Sequence, residues 1–192
     1  MRTGVRGVAG RTGGPPRRAA AAIAAAVAVL TLLGPAALAR PAELTDPRDT
    51  RGPLDIRRVE LRGTKEAHFK VTTGTRWTAR RMQDRGFFLI HLDTFGTPRF
   101  DHFALVRSDG RRVQGSLWRS RRGHDARRLR GIPGRHSGAR TATVVVPLRA
   151  VTLRRSHFRW RAQTLWGGWP CDRTCFDRAP RRGGVLRPLG RP

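Results

Sequence analysis

Tyrosine is absent from the 192 residues, cysteine and methionine occur twice each, and only 13 residues are acidic. The missing tyrosines count against a conventional aromatic sugar platform. Two cysteines, Cys171 and Cys175, cannot close a four-ligand zinc site, and no second cysteine pair or His-x-His cluster accompanies them. Their C-x-x-x-C spacing is not the C-x-x-C of a redox pair, and no βαβ pattern surrounds them. Ser108, Ser116, Ser120, Ser137 and Ser156 all lack a G-x-S-x-G context, which removes the nucleophile elbow. No internal repeat recurs at a fixed period, so a propeller or solenoid is disfavoured. Only one long apolar run exists, Ala19–Leu33, and nothing after it suffices to span a bilayer.

That run defines the first feature that is present. Arg2, Arg6, Arg11, Arg17 and Arg18 precede it without an acidic residue, and Gly34-Pro35 and Ala37-Leu38-Ala39 follow. Positive, apolar and small residues in that order are the layout of a secretory signal peptide, expected to be cleaved after Ala39. At about 1.5 Å per residue the run falls short of a hydrocarbon core of about 30 Å, so a retained anchor is disfavoured. Arg17-Arg18 lacks the flanking residues of a twin-arginine signal, and general secretion is expected. Export in turn predicts a disulfide between Cys171 and Cys175, closing the loop CDRTC.

The remaining Arg40–Pro192 suits one domain with a real core. It keeps 35 of the 40 basic residues against all 13 acidic ones, a charge of +22 with neutral His. Only Lys65 and Lys70 are lysines; arginine bias across a surface accounts for most of the rest, yet the charge still attracts polyanions.

The reading is organised around Phe87–Arg107, two strands joined by a loop at Thr94–Arg99 that contains Gly96 and Pro98. Opposing Asp93 and Asp101 sets His91 against Phe103 and Leu89 against Leu105. Both faces are partly apolar, as in a strand pair with little exposure to water. Leu54–Arg62 and Ala67–Thr73 predict a hairpin with a bulge near Arg57-Arg58, and Thr75–Arg85 a helical turn or crossover. Further strands are expected at Val113–Arg119, Thr141–Leu148 and Ser156–Leu165. The last alternates cleanly, with Phe158, Trp160, Ala162 and Thr164 inward. Arg40–Arg51 reads as a flexible lead-in, and residues 181–192 as a disordered tail. Ser120–Arg140, with seven Arg and one acid, reads as a mobile basic loop. Seven or eight short strands over residues 52–180 predict an all-β, antiparallel, jelly-roll-like β-sandwich.

DPRDTRGPLDIRRVEL, LDTFGTPRFDHFALV, FRWRAQTLW and CDRTCFDRAP arrive in an order that resembles a group of secreted actinobacterial proteins. More distantly, the stretch Asp46–Pro180 resembles the β-sandwich of family 9 carbohydrate-binding modules and DOMON domains. The resemblance implies the fold. It further implies a binding role, since members of that superfamily hold sugars between aromatic rings or haem through Met and His. No motif carries those ligand positions onto Trp77, Trp118 or Met82.

Several candidate sites follow. Asp93 and Asp101, opposed on paired strands, repel unless an arginine or a cation such as Ca²⁺ neutralises them. Asp46, Asp49 and Asp177 form a second possible Ca²⁺ group if the first strand lies beside the closing segment. His91 and His102 are sent to opposite faces and predict no metal. Trp166 and Trp169 flank Gly167-Gly168 and, with Trp77 and Trp118, are candidates for ligand contact, although packing as a lid over the disulfide is the favoured role of the Trp166–Trp169 pair. Arg121, Arg122, Arg127, Arg128 and Arg130 are candidates for polyanion contact, without the marks of sequence-specific nucleic-acid binding. The expectation is an exported, non-catalytic module for a cell-wall or extracellular glycan. The alternatives are polyanion capture by the basic loop, or a small secreted hydrolase using Asp93 and Asp101.

Overall fold

Alternation decides the architecture. In His157–Gly167 every second side chain from Phe158 to Trp166 is buried, which is how a strand behaves when it covers a core with one face. The computed structural model of the protein describes residues 41–121 and 124–189; the leader reading and Arg122 lie outside them. In chain order the elements are β1 (Ala42–Thr45), β2 (Ile56–Arg62), β3 (Glu66–Thr73), the single-turn helix α1 (Ala79–Met82), β4 (Gly86–Asp93), β5 (His102–Ser108) and β6 (Val113–Arg121). These are followed by β7 (His124–Ile132), β8 (Gly134–Gly138), β9 (Thr141–Pro147), a 3₁₀ turn (Leu148–Ala150), β10 (His157–Gly167), β11 (Thr174–Ala179) and β12 (Val185–Pro188). All pairings are antiparallel. One sheet runs β1-β2-β3-β9-β8, the other β11-β10-β4-β5-β6-β7 with β12 also on β10. The fold is an all-β sandwich.

The apolar faces meet between the sheets. Val59, Leu61, Phe69, Val71, Val144 and Val146 come from the five-stranded sheet. Phe88, Ile90, Leu92, Ala104, Val106, Phe158 and Trp160 answer from the seven-stranded one. Phe69 and Trp160 cross the interface edge to face, their centroids 5.5 Å apart. The register of β4 and β5 sets Leu89 opposite Leu105 and His91 opposite Phe103. A register shift between Ile56 and Arg58 marks the bulge.

Among the described residues there are twelve strands rather than the expected seven or eight, and the additional ones lie in segments expected to be irregular. The Ser120–Arg140 stretch is the end of β6 followed by β7 and β8, each the outer strand of its sheet; β1 lies in the lead-in and β12 in the tail. These strands form through backbone pairing, while most of their side chains remain in water. They therefore carry no period-2 hydrophobic signal. Between β7 and β8 the chain changes sheet at Pro133. A Cβ on Gly134 would stand 2.6 Å from the Gly115 backbone nitrogen, so glycine is required where the two backbones meet.

Candidate functional site

The turn between β4 and β5 is held by its own carboxylates. Asp93 Oδ1 accepts the backbone N–H groups of Gly96 (2.7 Å) and Thr97 (3.0 Å), and its Oδ2 accepts Arg159 Nε (2.9 Å) and Nη2 (2.6 Å). Asp101 accepts from the Thr94 and Phe95 backbone N–H groups, both at 2.9 Å, and from Thr94 Oγ1 at 2.7 Å. His102 Nδ1 lies 2.5 Å from the same Oδ1 that accepts the Thr94 hydroxyl. Burial raises the Asp101 carboxyl, but these hydrogen bonds outweigh it and leave the group below its ordinary range. The expectation of Ca²⁺ at Asp93 and Asp101 is corrected: protein donors already satisfy both carboxylates. Both carboxylates are engaged within the turn, and His102 is buried against Asp101.

The second acidic group does converge. Asp46 follows β1, Asp49 lies in the loop to β2, and Asp177 belongs to β11; one oxygen from each lies within 4.8 Å of the others. Asp177 is drawn in because its Oδ2 accepts the Ile56 N–H at 2.5 Å, tying β11 to the start of β2. Asp55 shapes the loop: its Oδ1 accepts the N–H groups of Asp49 (3.3 Å) and Thr50 (3.0 Å). The Cys171–Cys175 disulfide abuts the same loop, where a Cβ on Gly52 would come within 3.0 Å of Cys175 Cβ. On the outer side Arg181 pairs with Asp49 through Nε at 2.6 Å.

Burial, then the charges of Asp177 and Asp49, push Asp46 up to about 6; burial likewise pushes Asp177 up to about 6 against two backbone hydrogen bonds. Between pH about 4 and about 6 the folded state therefore holds more protons on these groups than the unfolded chain. Raising the pH strips them and lowers stability through that window. His91, whose folded value is depressed to about 4, acts in the opposite direction over much of the same range. A variant isolates the effect: in chelator, Asp46→Asn should gain about 1–2 kcal/mol on the parent protein as pH rises from about 4 to about 6. Urea midpoints at the two pH values test this, and a pH-independent difference would refute it.

The tryptophans divide. Trp77 (2% exposed) packs on Phe88 and His136, and Trp166 (1%) lies under the Cys loop with its Nε1 donating to the Trp169 carbonyl. Both are corrected from ligand candidates to core, because apolar strand faces enclose their rings. Trp169 is 84% exposed, and Trp118 stands half-exposed on the outer face of the seven-stranded sheet.

That face brings Trp118 and Arg128, candidates of two different kinds in the sequence, into one row with residues that were not candidates. A row crosses five strands in register: Arg161 on β10, His91 on β4, Phe103 on β5, Trp118 on β6 and Arg128 on β7. The Phe103 and Trp118 rings are parallel within 3°, centroids 6.0 Å apart, and Arg161 lies 4.8 Å over the Phe100 ring. Burial and the Arg161 charge hold the His91 imidazole down to about 4, so it is neutral at neutral pH. The neighbouring rows add Gln163, Leu89, Leu105 and Ser116, then Phe176, Leu165 and Phe87. Beside Trp118 a cavity of about 140 Å³ is lined by Arg107, Gln114, Ser116 and Arg128. The two-sided apolar pattern of Phe87–Arg107 was the available signal. The expectation that both faces are shut from water holds only on the inner one. The opposite face of the sandwich is polar: Glu60 there is held by Lys70 (3.1 Å) and Arg62 (3.1 Å). Of the polyanion candidates, Arg121, Arg127, Arg128 and Arg130 are exposed on β6 and β7.

No protein-family model, curated protein or solved structure matches the chain. Fold and site therefore define its class directly: a disulfide-bearing antiparallel β-sandwich with one half-exposed aromatic and cationic face. Among the described residues no helix is long and apolar enough to cross a membrane.

Proposed function

We propose that the protein is an exported, non-catalytic module that binds an anionic cell-wall or extracellular glycan on the outer face of its seven-stranded sheet. The supporting observation is the row Arg161–His91–Phe103–Trp118–Arg128, aromatic at its centre and cationic at both ends. Sugar rings offer C–H faces to the aromatic surface, while guanidinium groups match carboxylate or phosphate substituents. Arg128 neighbours Trp118 across the β6–β7 pairing, so one acidic sugar residue can meet both.

Retention of the protein on purified cell-wall polysaccharide tests this. Trp118→Ala should weaken binding at least tenfold, about 1.4 kcal/mol, with little change in melting temperature because the ring is only half-buried. Retention unchanged in that variant would refute the reading. A second reading rests on exposed Arg127, Arg128 and Arg130 along β7: capture of polyanions by charge alone. About 0.5 M NaCl, with a Debye length of roughly 4 Å, should abolish that mode and spare an aromatic one.

A further inference from the structure

We propose that Asp46, Asp49 and Asp177 hold a divalent cation, Ca²⁺ in preference to Mg²⁺, at the junction of the β1–β2 loop with β11. Ca²⁺ binds oxygens at about 2.3–2.6 Å, so its coordination shell is roughly 4.6–5.2 Å across. Three carboxylate oxygens within 4.8 Å of one another fit around one such ion. The set is irregular, drawn from a loop and a strand, which suits the variable shell of Ca²⁺ better than the strict octahedron of Mg²⁺.

Convergence alone would leave an ordinary acidic cluster; the state of Asp46 adds the second observation. It is 7% exposed, and its Oδ2, shielded from water, has no hydrogen-bond partner. Such an atom carries its full desolvation cost unless something cationic meets it. Arginine is abundant in this chain, yet the guanidinium beside the cluster, Arg181, is largely exposed and engages the outer oxygen of Asp49. Asp55, buried and 3.8 Å from the Arg57 guanidinium, adds a fourth carboxylate to the same loop. A cleft of about 410 Å³ lined by Asp49, Thr50, Phe176, Asp177, Arg178 and Arg181 connects the cluster to solvent and leaves room for water ligands. The cluster draws on the β1–β2 loop and β11, and none of its three aspartates belongs to the row from Arg161 to Arg128.

Calorimetric titration and thermal melts of the full chain, with CaCl₂, MgCl₂ or EDTA, test the proposal. Saturable binding of one Ca²⁺ is expected, with a melting temperature that rises with Ca²⁺ and weaker effects from Mg²⁺. Asp46→Asn should lower Ca²⁺ affinity at least tenfold. Asp49→Asn, in the surface loop, should do the same and serves if the first variant does not fold. Arg181→Ala should retain or tighten binding, because it removes a competing cation. Absence of any Ca²⁺-dependent shift, or a shift unchanged in both aspartate variants, would overturn the site.

Discussion

Trp160→Ala is expected to cost the fold about 3–5 kcal/mol. The indole is fully buried, at 0% exposure, on the longest strand, with β4 on one side and β12 on the other. Its edge contact with Phe69 at 5.5 Å is where the two sheets touch through aromatic rings. Alanine deletes that contact and leaves a cavity that flanking strands, fixed by backbone pairing, cannot close. A domain of this size has about 5–15 kcal/mol in total, so the variant should melt far earlier or fail to accumulate. Trp160→Phe is the contrasting case. It keeps an aromatic edge against Phe69 and removes an indole N–H that has no hydrogen-bond partner, so the loss should stay below about 1.5 kcal/mol. Urea unfolding of the two variants checks the pair; equal losses would mean that ring packing is not what Trp160 contributes.

Arg159→Ala should cost about 3 kcal/mol for a different reason. Asp93 is 1% exposed, and one of its oxygens depends on Arg159 Nε and Nη2, at 2.9 and 2.6 Å. The same guanidinium also donates to the Thr97 carbonyl, so it ties β10 to the start and the middle of the β4–β5 turn. Deleting it strands half of a buried carboxylate. Asp93→Asn removes the charge that needs neutralising and should cost less in the background of Arg159→Ala than in the parent protein. A double-mutant cycle should therefore return a coupling of about 1–3 kcal/mol. Additive losses would show that the two groups stabilise the turn separately.

These two residues were accessible to sequence reasoning to different degrees. The inward place of Trp160 follows from alternation along a single strand, and its burial was expected on that ground. Arg159 falls on the opposite face by the same alternation, but its partner was not identifiable, because Asp93 lies on a strand far away in sequence. The Leu89–Leu105 register was readable because a short turn links the strands and the two aspartates anchor it. The disulfide was readable from spacing and expected export. β7 and β8 were not, since arginines in water leave no periodic trace of a backbone that pairs at a sheet edge.

The outer aromatic face and the acidic cluster sit at opposite ends of that scale of difficulty. For Asp46, Asp49 and Asp177, the residue types and a conditional meeting were visible in the chain; the condition was met through the Ile56–Asp177 hydrogen bond. For the row from Arg161 to Arg128, Trp118 and Arg128 are separate candidates in the chain and His91 pairs with Phe103 across the turn, but the row as a whole is not legible, because its members come from five strands whose lateral order is set by long-range pairing. Hydrophobic period is a local property, carried by neighbouring residues and legible along the chain: it specified pleated segments, an inward face and a sandwich. Which strand lies beside which, and hence which half-exposed rings and guanidinium groups share one surface, depends on the order in which backbones pair across the folded domain, and that information appears only in three dimensions.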